Sequence, residues 1–288
     1  MAEIVWLASY PKSGNTWTRA LLAAYFGEGA FDLNNLGSGL RLGGIRSLDD
    51  LIGVDPGHLR LDEVLAYRPR AARVLARDVA NEEGPLFSKI HSANHPTPSG
   101  ERVFPSDVGR ALYVVRNPLD VVTSAAPFFD WTLDQAVEVL GDEGFILNHR
   151  PGRFTRIIPE PLLTWSNHVR SWLDAPGLSA HVLRYEDLQA DPAAAFTGAL
   201  RFVGVEPDGD RVAAAVETAR FDRLREREAE EGFREHPRMA TAPFFRKGKT
   251  GTWREELSPA QARRVVADHR ETMLRLGYAD AVAEVEGR

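Results

Sequence analysis

The sequence predicts an α/β fold, a central parallel sheet flanked by helices. Short, mostly apolar runs alternate along the chain with stretches of helical periodicity. The first such run, Ile4 to Ser9, is apolar almost throughout rather than in alternation, as expected of a strand covered on both faces of a parallel sheet. It halts at Tyr10-Pro11, and Thr16 to Phe26 then follows as a stretch of helix formers closed by Gly27. Strand, turn and helix in that order form the first unit of a doubly wound domain.

The remaining elements follow in sequence. Residues 27 to 70 are Gly-rich and mixed, with a short helix expected from Leu59 to Tyr67. Leu86 to Ile90 reads as a second strand, running into the Pro- and Asn-containing loop His91 to Pro98. Ala111 to Val115 is the clearest strand; it ends at Arg116-Asn117-Pro118, and a helix is expected over Leu119 to Ala126. A helical piece around Leu133 to Leu140 precedes a Gly/Pro/Arg-rich loop. Leu162 to Leu173 is an amphipathic helix, and Ala180 to Leu183 a fourth strand leading to Arg184-Tyr185-Glu186-Asp187. Ala193 to Val203, Asp210 to Ala219 and Pro259 to Leu276 carry helical periodicity. There is no internal repeat, low-complexity tract or linker, so residues 1–288 are expected to form one domain.

Bulk properties narrow the function. The 35 Lys and Arg against 41 Asp and Glu give a net charge of −6, with no basic block, which argues against a nucleic-acid partner gripped by charge. Any anion site must therefore be local. The absence of cysteine removes disulfides, thiolate nucleophiles and Cys-ligated zinc. The N-terminus lacks a basic region, and no apolar run approaches the roughly 20 residues of a membrane span, so a cytoplasmic protein without membrane contact is expected.

Chemistry concentrates at the ends of the predicted strands. A turn from a buried strand into a helix gathers free N–H groups and the positive end of the helix dipole. In Tyr10-Pro-Lys-Ser-Gly-Asn-Thr-Trp17, Lys12 adds a charge, Ser13 and Thr16 add hydroxyls, and Gly14 admits a close ligand. A P-loop NTPase would require Gly-x-x-x-x-Gly-Lys-Ser/Thr; this loop lacks both the leading glycine and the Gly-Lys order. Arg116 at the end of the third strand lies where open α/β sheets bind ligands, and its planar fork suits phosphate.

Tyr10 to Trp17 resembles the 5′-phosphosulfate loop of sulfotransferases that use 3′-phosphoadenosine 5′-phosphosulfate (PAPS), whose fold is P-loop-like. The resemblance implies that Lys12, Ser13, Gly14, Asn15, Thr16 and Trp17 hold that co-substrate. Val114 to Ser124 is similar to the family's 3′-phosphate motif, which assigns Arg116 and Ser124 to that phosphate. Phe244-Phe-Arg-Lys-Gly-Lys-Thr-Gly-Thr-Trp253 resembles the late Arg-Lys-Gly segment, adding Arg246, Lys247 and Gly248; Thr252 stands where the family often has Asp. Tyr185 and Phe221 match residues at the adenine, with Trp17 flanking its other face. Lys89-Ile-His91 matches the family's Lys-x-His, which makes His91 the general base, with Lys89 and Lys12 stabilising the transition state and no metal required.

Residues 32–70, 127–160 and 225–245 carry no such motif and are expected to wall the acceptor pocket, with Phe128, Phe129, Trp131 and Phe145 as lining aromatics. The expected partner is a small-molecule hydroxyl or phenol, and its identity is not legible. Arg254 to Arg263 matches the family's dimer motif poorly, leaving the oligomeric state open. The alternatives to sulfuryl transfer are a P-loop-type kinase using ATP and Mg²⁺, or a nucleotide-binding protein without catalysis.

Overall fold

The computed structural model describes residues 3–27, 29–36, 49–50, 53, 59–149, 158–236, 240 and 242–287. Four parallel strands form the central sheet: β1 (Glu3–Ser9), β2 (Pro85–Ile90), β3 (Gly109–Val115) and, after two short strands, β6 (Ala180–Arg184), in the order β2-β1-β3-β6. The two short strands, β4 (Ile146–Leu147) and β5 (Glu160–Pro161), pair antiparallel beside it. All four expected strands are present, each within about two residues of its expected bounds.

Alternation within each strand builds a core on either face. Ile4, Trp6 and Ala8 of β1 join Ala111, Tyr113 and Val115 of β3 in one buried cluster, while Val5 and Leu7 join Leu112 and Val114 in the other. The first face is covered by α2 (Leu61–Asp78), α3 (Pro118–Phe129), α4 (Leu133–Leu140), α5 (Trp165–Leu173), α11 (Pro259–Arg275) and α12 (Ala279–Glu286). The second is covered by α1 (Asn15–Phe26), α7 (Pro192–Phe202), α8 (Gly209–Thr218) and α9 (Phe221–Glu231). Two short helices, α6 (Tyr185–Ala190) and α10 (Trp253–Glu256), cap loop ends. Among the described residues no helix is long and apolar enough to cross a membrane.

The helices differ from the sequence reading in two respects. The helix expected to stop at Tyr67 continues to Asp78 through Pro69. A proline inside a helix removes a hydrogen bond and crowds the preceding turn, which is why it reads as a stop. Here Ala71, Ala72 and Leu75 beyond it are all buried, and packing decides. Helices α6, α9, α10 and α12 were not expected; α9 begins at Phe221 and occupies part of 225–245. Within 32–70 and 127–160, residues 37–48, 51–52, 54–58 and 150–157 lie outside the described residues, as do 237–239 and 241 of the last segment.

Parallel pairing places the carboxyl ends of the strands along one edge. Ala8 pairs with Ile90 and Tyr113, and Val115 with Arg184. Tyr10 to Asn15, His91, Arg116 and Tyr185 therefore emerge side by side.

Candidate active site

A cavity of about 720 Å³ opens at this edge, lined by the cradle residues Lys12, Gly14, Asn15, Thr16 and Trp17. Lys89, His91, Arg116, Ser124, Tyr185, Phe221, Arg246, Lys247 and Gly248 line it too. Every residue expected at the site except Ser13 thus borders one space, and Ser13 lies fully buried within the same loop.

The cradle is shaped by backbone that ordinary residues avoid. Gly14 has φ 107° and Lys12 φ 67°, so both sides of Ser13 are left-handed. A Cβ at Gly14 would stand 2.7 Å from the Tyr185 ring, which reserves the position for glycine. Asn15 serves the loop from within: its Nδ2 donates to the Leu7 carbonyl and to Ser9 Oγ, both at 3.1 Å. Ser13 Oγ is buried and has no partner, a donor left over at a helix N-terminus.

Lys12 Nζ sits 3.7 Å from the Phe128 ring centroid and 4.2 Å from that of Phe244. Burial, then the nearby cations Arg116, Lys89 and Arg246, lower it to about 7, against the pull of Glu228. A lysine held that far below its ordinary value is only partly charged at neutral pH, and a bound anion would favour its charged form.

The second group of cations is preorganised by carboxylates and carbonyls. Arg116, 8% exposed, donates to the Lys249 carbonyl at 2.9 Å and lies 4.4 Å above the Tyr185 ring, while its buried Nε has no partner. Arg246 donates to the Thr123 carbonyl at 2.8 Å, and Lys247 to Glu256 at 2.9 Å. Asp120 ties this loop down: it accepts from the amides of Gly251 (2.7 Å) and Trp253 (3.1 Å) and from Thr252 Oγ1 (3.3 Å). Asp120 pairs with the loop rather than with Arg116. Gly248 has φ 59°, and a Cβ there would stand 2.3 Å from the Phe221 ring. The orphaned donors Ser13 Oγ and Arg116 Nε, on two separate loops, fit the oxygens of two phosphate-type groups. Trp17, Tyr185 and Phe221 border the space between, with Trp17 and Tyr185 edge to face at 5.5 Å.

His91 is held on three sides. Its Nδ1 lies 2.9 Å from the Ser9 carbonyl, which can only accept, so Nδ1 carries the proton and Nε2 keeps its lone pair. Its backbone N–H donates to Glu160 Oε1 at 2.9 Å, and its carbonyl accepts from His168 at 2.9 Å. Burial first, then the charge of Lys89, lower His91 to about 4, so the ring is neutral at physiological pH. Lys89 is paired at 3.1 Å with Glu235, which also takes Arg19 at 2.6 Å.

The cavity is also bordered by Phe128, Phe129, Leu147, Asn148, Arg234, His236 and Phe244. Trp131 and Phe145 stand behind this wall: Trp131 stacks on Phe129 at 4.4 Å, and Phe145 meets Trp131 edge to face at 5.7 Å. Residues of 127–160 and 225–245 line the cavity; no described residue of 32–70 does. Among the described residues no group of three or more His, Asp or Glu is placed to hold a metal.

Glu160, Glu235, Asp120 and His168 escaped the sequence reading. Each acts on a partner 69 to 146 positions away, Asp120 on partners 131 to 133 positions on. The one local signal was Asp120, four residues after Arg116 in the same motif.

Comparison with known proteins gives the family and the fold. Residues 3–277 match the family described as the sulfotransferase domain, and the chain belongs to that family. It is 26% identical over 271 residues to cytosolic sulfotransferase 17 of Arabidopsis thaliana, covering 90% of this chain and 71% of that one. Flavonol 3-sulfotransferase of Flaveria bidentis is 24% identical over 87% of this chain and 75% of its own. Sulfotransferase 2A2 of Mus musculus is 26% identical over 64% of this chain, and the match spans 62% of that relative, less than two thirds of its length. Among solved structures, mouse sulfotransferase SULT7A1 complexed with PAP superimposes with a TM-score of 0.60 at 17% identity, over 98% of this chain and 88% of that one. Retinol dehydratase in complex with androsterone and inactive cofactor PAP gives 0.59 at 20% identity, over 94% and 80%. At these identities the structural likeness establishes the fold.

Proposed function

We propose that this chain is a PAPS-dependent O-sulfotransferase acting on a small-molecule hydroxyl or phenol. The observation that carries the reading is the convergence on one cavity of two separate cation groups, Lys12 with Lys89 and Arg116 with Arg246-Lys247, beside a neutral His91 whose Nε2 is free to accept a proton. When bound, PAPS supplies the sulfuryl group, its sulfur leaving the 5′-phosphate oxygen as the acceptor oxygen attaches. The cradle Lys12 to Trp17 holds the 5′ end; Arg116, Ser124, Arg246, Lys247 and the Gly248 amide hold the 3′-phosphate; Trp17, Tyr185 and Phe221 flank the base.

His91 Nε2 takes the acceptor's hydroxyl proton as its oxygen attacks. Lys12 and Lys89 face the charge that builds on the departing 5′-phosphate oxygen, and sulfuryl transfer with a loose transition state depends chiefly on such positioning and charge. The apolar wall of Phe128, Phe129, Leu147 and Phe244 favours an acceptor with an aromatic or alicyclic body. The relatives named for flavonol and amine substrates support a small acceptor. A cytoplasmic setting and a single domain over residues 1–288 belong to the same reading, the first leaning on the relative named cytosolic.

The test is incubation with PAPS and a panel of phenols, alcohols and amines, measuring release of adenosine 3′,5′-bisphosphate (PAP) and the sulfated product. Acceptor-dependent release supports the reading. Turnover of ATP with Mg²⁺ on the same panel, with none from PAPS, would establish the kinase alternative instead.

A further inference from the structure

We infer that His168 and Tyr113, which line no part of the cavity, are positioning residues for the transfer: a buried hydrogen-bond chain from Tyr113 through His168 fixes the peptide that carries His91. The inference rests on the reading of His91 as the base.

The chain has only one consistent arrangement of protons. The His91 carbonyl can only accept, and His168 Nε2 lies 2.9 Å from it, so Nε2 carries hydrogen. His168 Nδ1 is then a lone-pair acceptor, and Tyr113, whose OH is 2.7 Å away, must be the donor. Tyr113 and His168 are both fully buried, so no water competes for either contact. The Tyr10 ring meets His168 edge to face at 5.4 Å and closes a further side. Burial holds the His168 imidazole down to about 3 and the Tyr113 phenol well above its usual value, so the chain stays uncharged at neutral pH.

The geometry explains why such a chain is needed. His91 is the first residue beyond β2, where ladder hydrogen bonds stop. Its ring is anchored to Ser9 at the end of β1, its amide to Glu160 of β5, and its carbonyl through His168 to Tyr113 of β3. Tyr113 itself pairs in register with Ala8, next to Ser9. The loop is thus tied to β1 and β3 of the central sheet and to β5 of the short pair, and the direction of His91 Nε2 follows from the fold rather than from the ligand. Releasing the carbonyl frees the peptide to rotate, and a displacement of about 1 Å at a reacting group costs about 100-fold in rate.

Two substitutions of nearly equal polarity separate positioning from packing. In His168→Gln the amide nitrogen reaches the place of Nε2 and can still donate to the His91 carbonyl. In His168→Asn the shorter side chain leaves that carbonyl without a donor. Both lose the imidazole, so a purely structural role would lower melting temperature in both and separate neither in rate. The expected result is a kcat for His168→Gln within about 5-fold of the unmodified protein, and for His168→Asn a fall of about 10- to 100-fold. PAP affinity, measured by calorimetry, should stay within about 2-fold in both, because neither residue faces the nucleotide side. Tyr113→Phe, which keeps the ring and removes only the donor, should lower kcat by about 3- to 10-fold with PAP affinity unchanged. Equal kcat in the Gln and Asn variants, or an unchanged kcat in Tyr113→Phe, would overturn the inference. If neither His168 variant folds, Tyr113→Phe decides alone. His91→Ala run alongside distinguishes the two levels: full turnover there removes the base itself, whereas loss of turnover there with unaffected relay variants removes only the relay.

Discussion

At the scale of single residues, Lys12 and His91 are shifted the same way by one shared cause, with different consequences. Burial depresses both, leaving His91 neutral and Lys12 half charged near pH 7. For His91 this is the form that accepts a proton; His91→Ala should lower turnover by about 10²- to 10⁴-fold while PAP affinity stays within about 2-fold. Single-turnover assays with calorimetric titration of PAP check the split. For Lys12 the charged form is the one that grips. It predominates below about pH 7 in the free protein and is lost as pH rises through that value, so PAP affinity should fall from pH 6 to pH 9. In Lys12→Arg, whose charge persists, that fall should disappear. An unchanged slope in the variant would assign the effect to another group.

At the scale of elements, the loop from Arg246 to Trp253 works only because Asp120, at the start of α3, accepts three of its donors. Asp120→Asn turns one carboxylate oxygen into a donor facing those N–H groups. PAP affinity should drop about 10-fold or more, whereas adenosine 5′-monophosphate, lacking the 3′-phosphate, should lose no more than about 3-fold. Parallel titrations of the two nucleotides read the difference; equal losses would show that the loop does not serve the 3′ end. This is also where sequence reading reaches its limit. The four strands and the motifs at their ends were legible because strand, turn and helix follow one another within a few residues, and charge types at a strand end are local facts. Pro69 misled, since a stop signal was overruled by the buried Ala71, Ala72 and Leu75. The partners of Lys89 and His91 were invisible, because Glu235 and His168 arrive from elements far along the chain. Trp131 and Phe145 were expected to line a pocket and instead pack behind Phe129, outside the cavity, a distinction made only by three-dimensional packing.

At the scale of the whole molecule, an acidic chain carries a locally cationic cavity at the open edge of its sheet. The like charges of Lys12, Lys89, Arg116 and Arg246 repel one another in the folded state, and a ligand bearing two phosphate groups relieves that repulsion. PAP at 100 times its Kd should stabilise the fold by about 2.7 kcal/mol, a rise of roughly 5 °C or more in Tm. Thermal unfolding with PAP, with adenosine 5′-monophosphate and with ATP at equal concentration should rank PAP first.

The central claim is that these grips serve sulfuryl transfer. The most direct measurement is product formation from PAPS with an acceptor panel in the presence of EDTA, for the unmodified protein and for His91→Ala. The account predicts a sulfated product and stoichiometric PAP from the unmodified protein, and near-background turnover from the variant. Tight PAP binding with no acceptor-dependent product from either protein, across phenols, alcohols and amines, would contradict it.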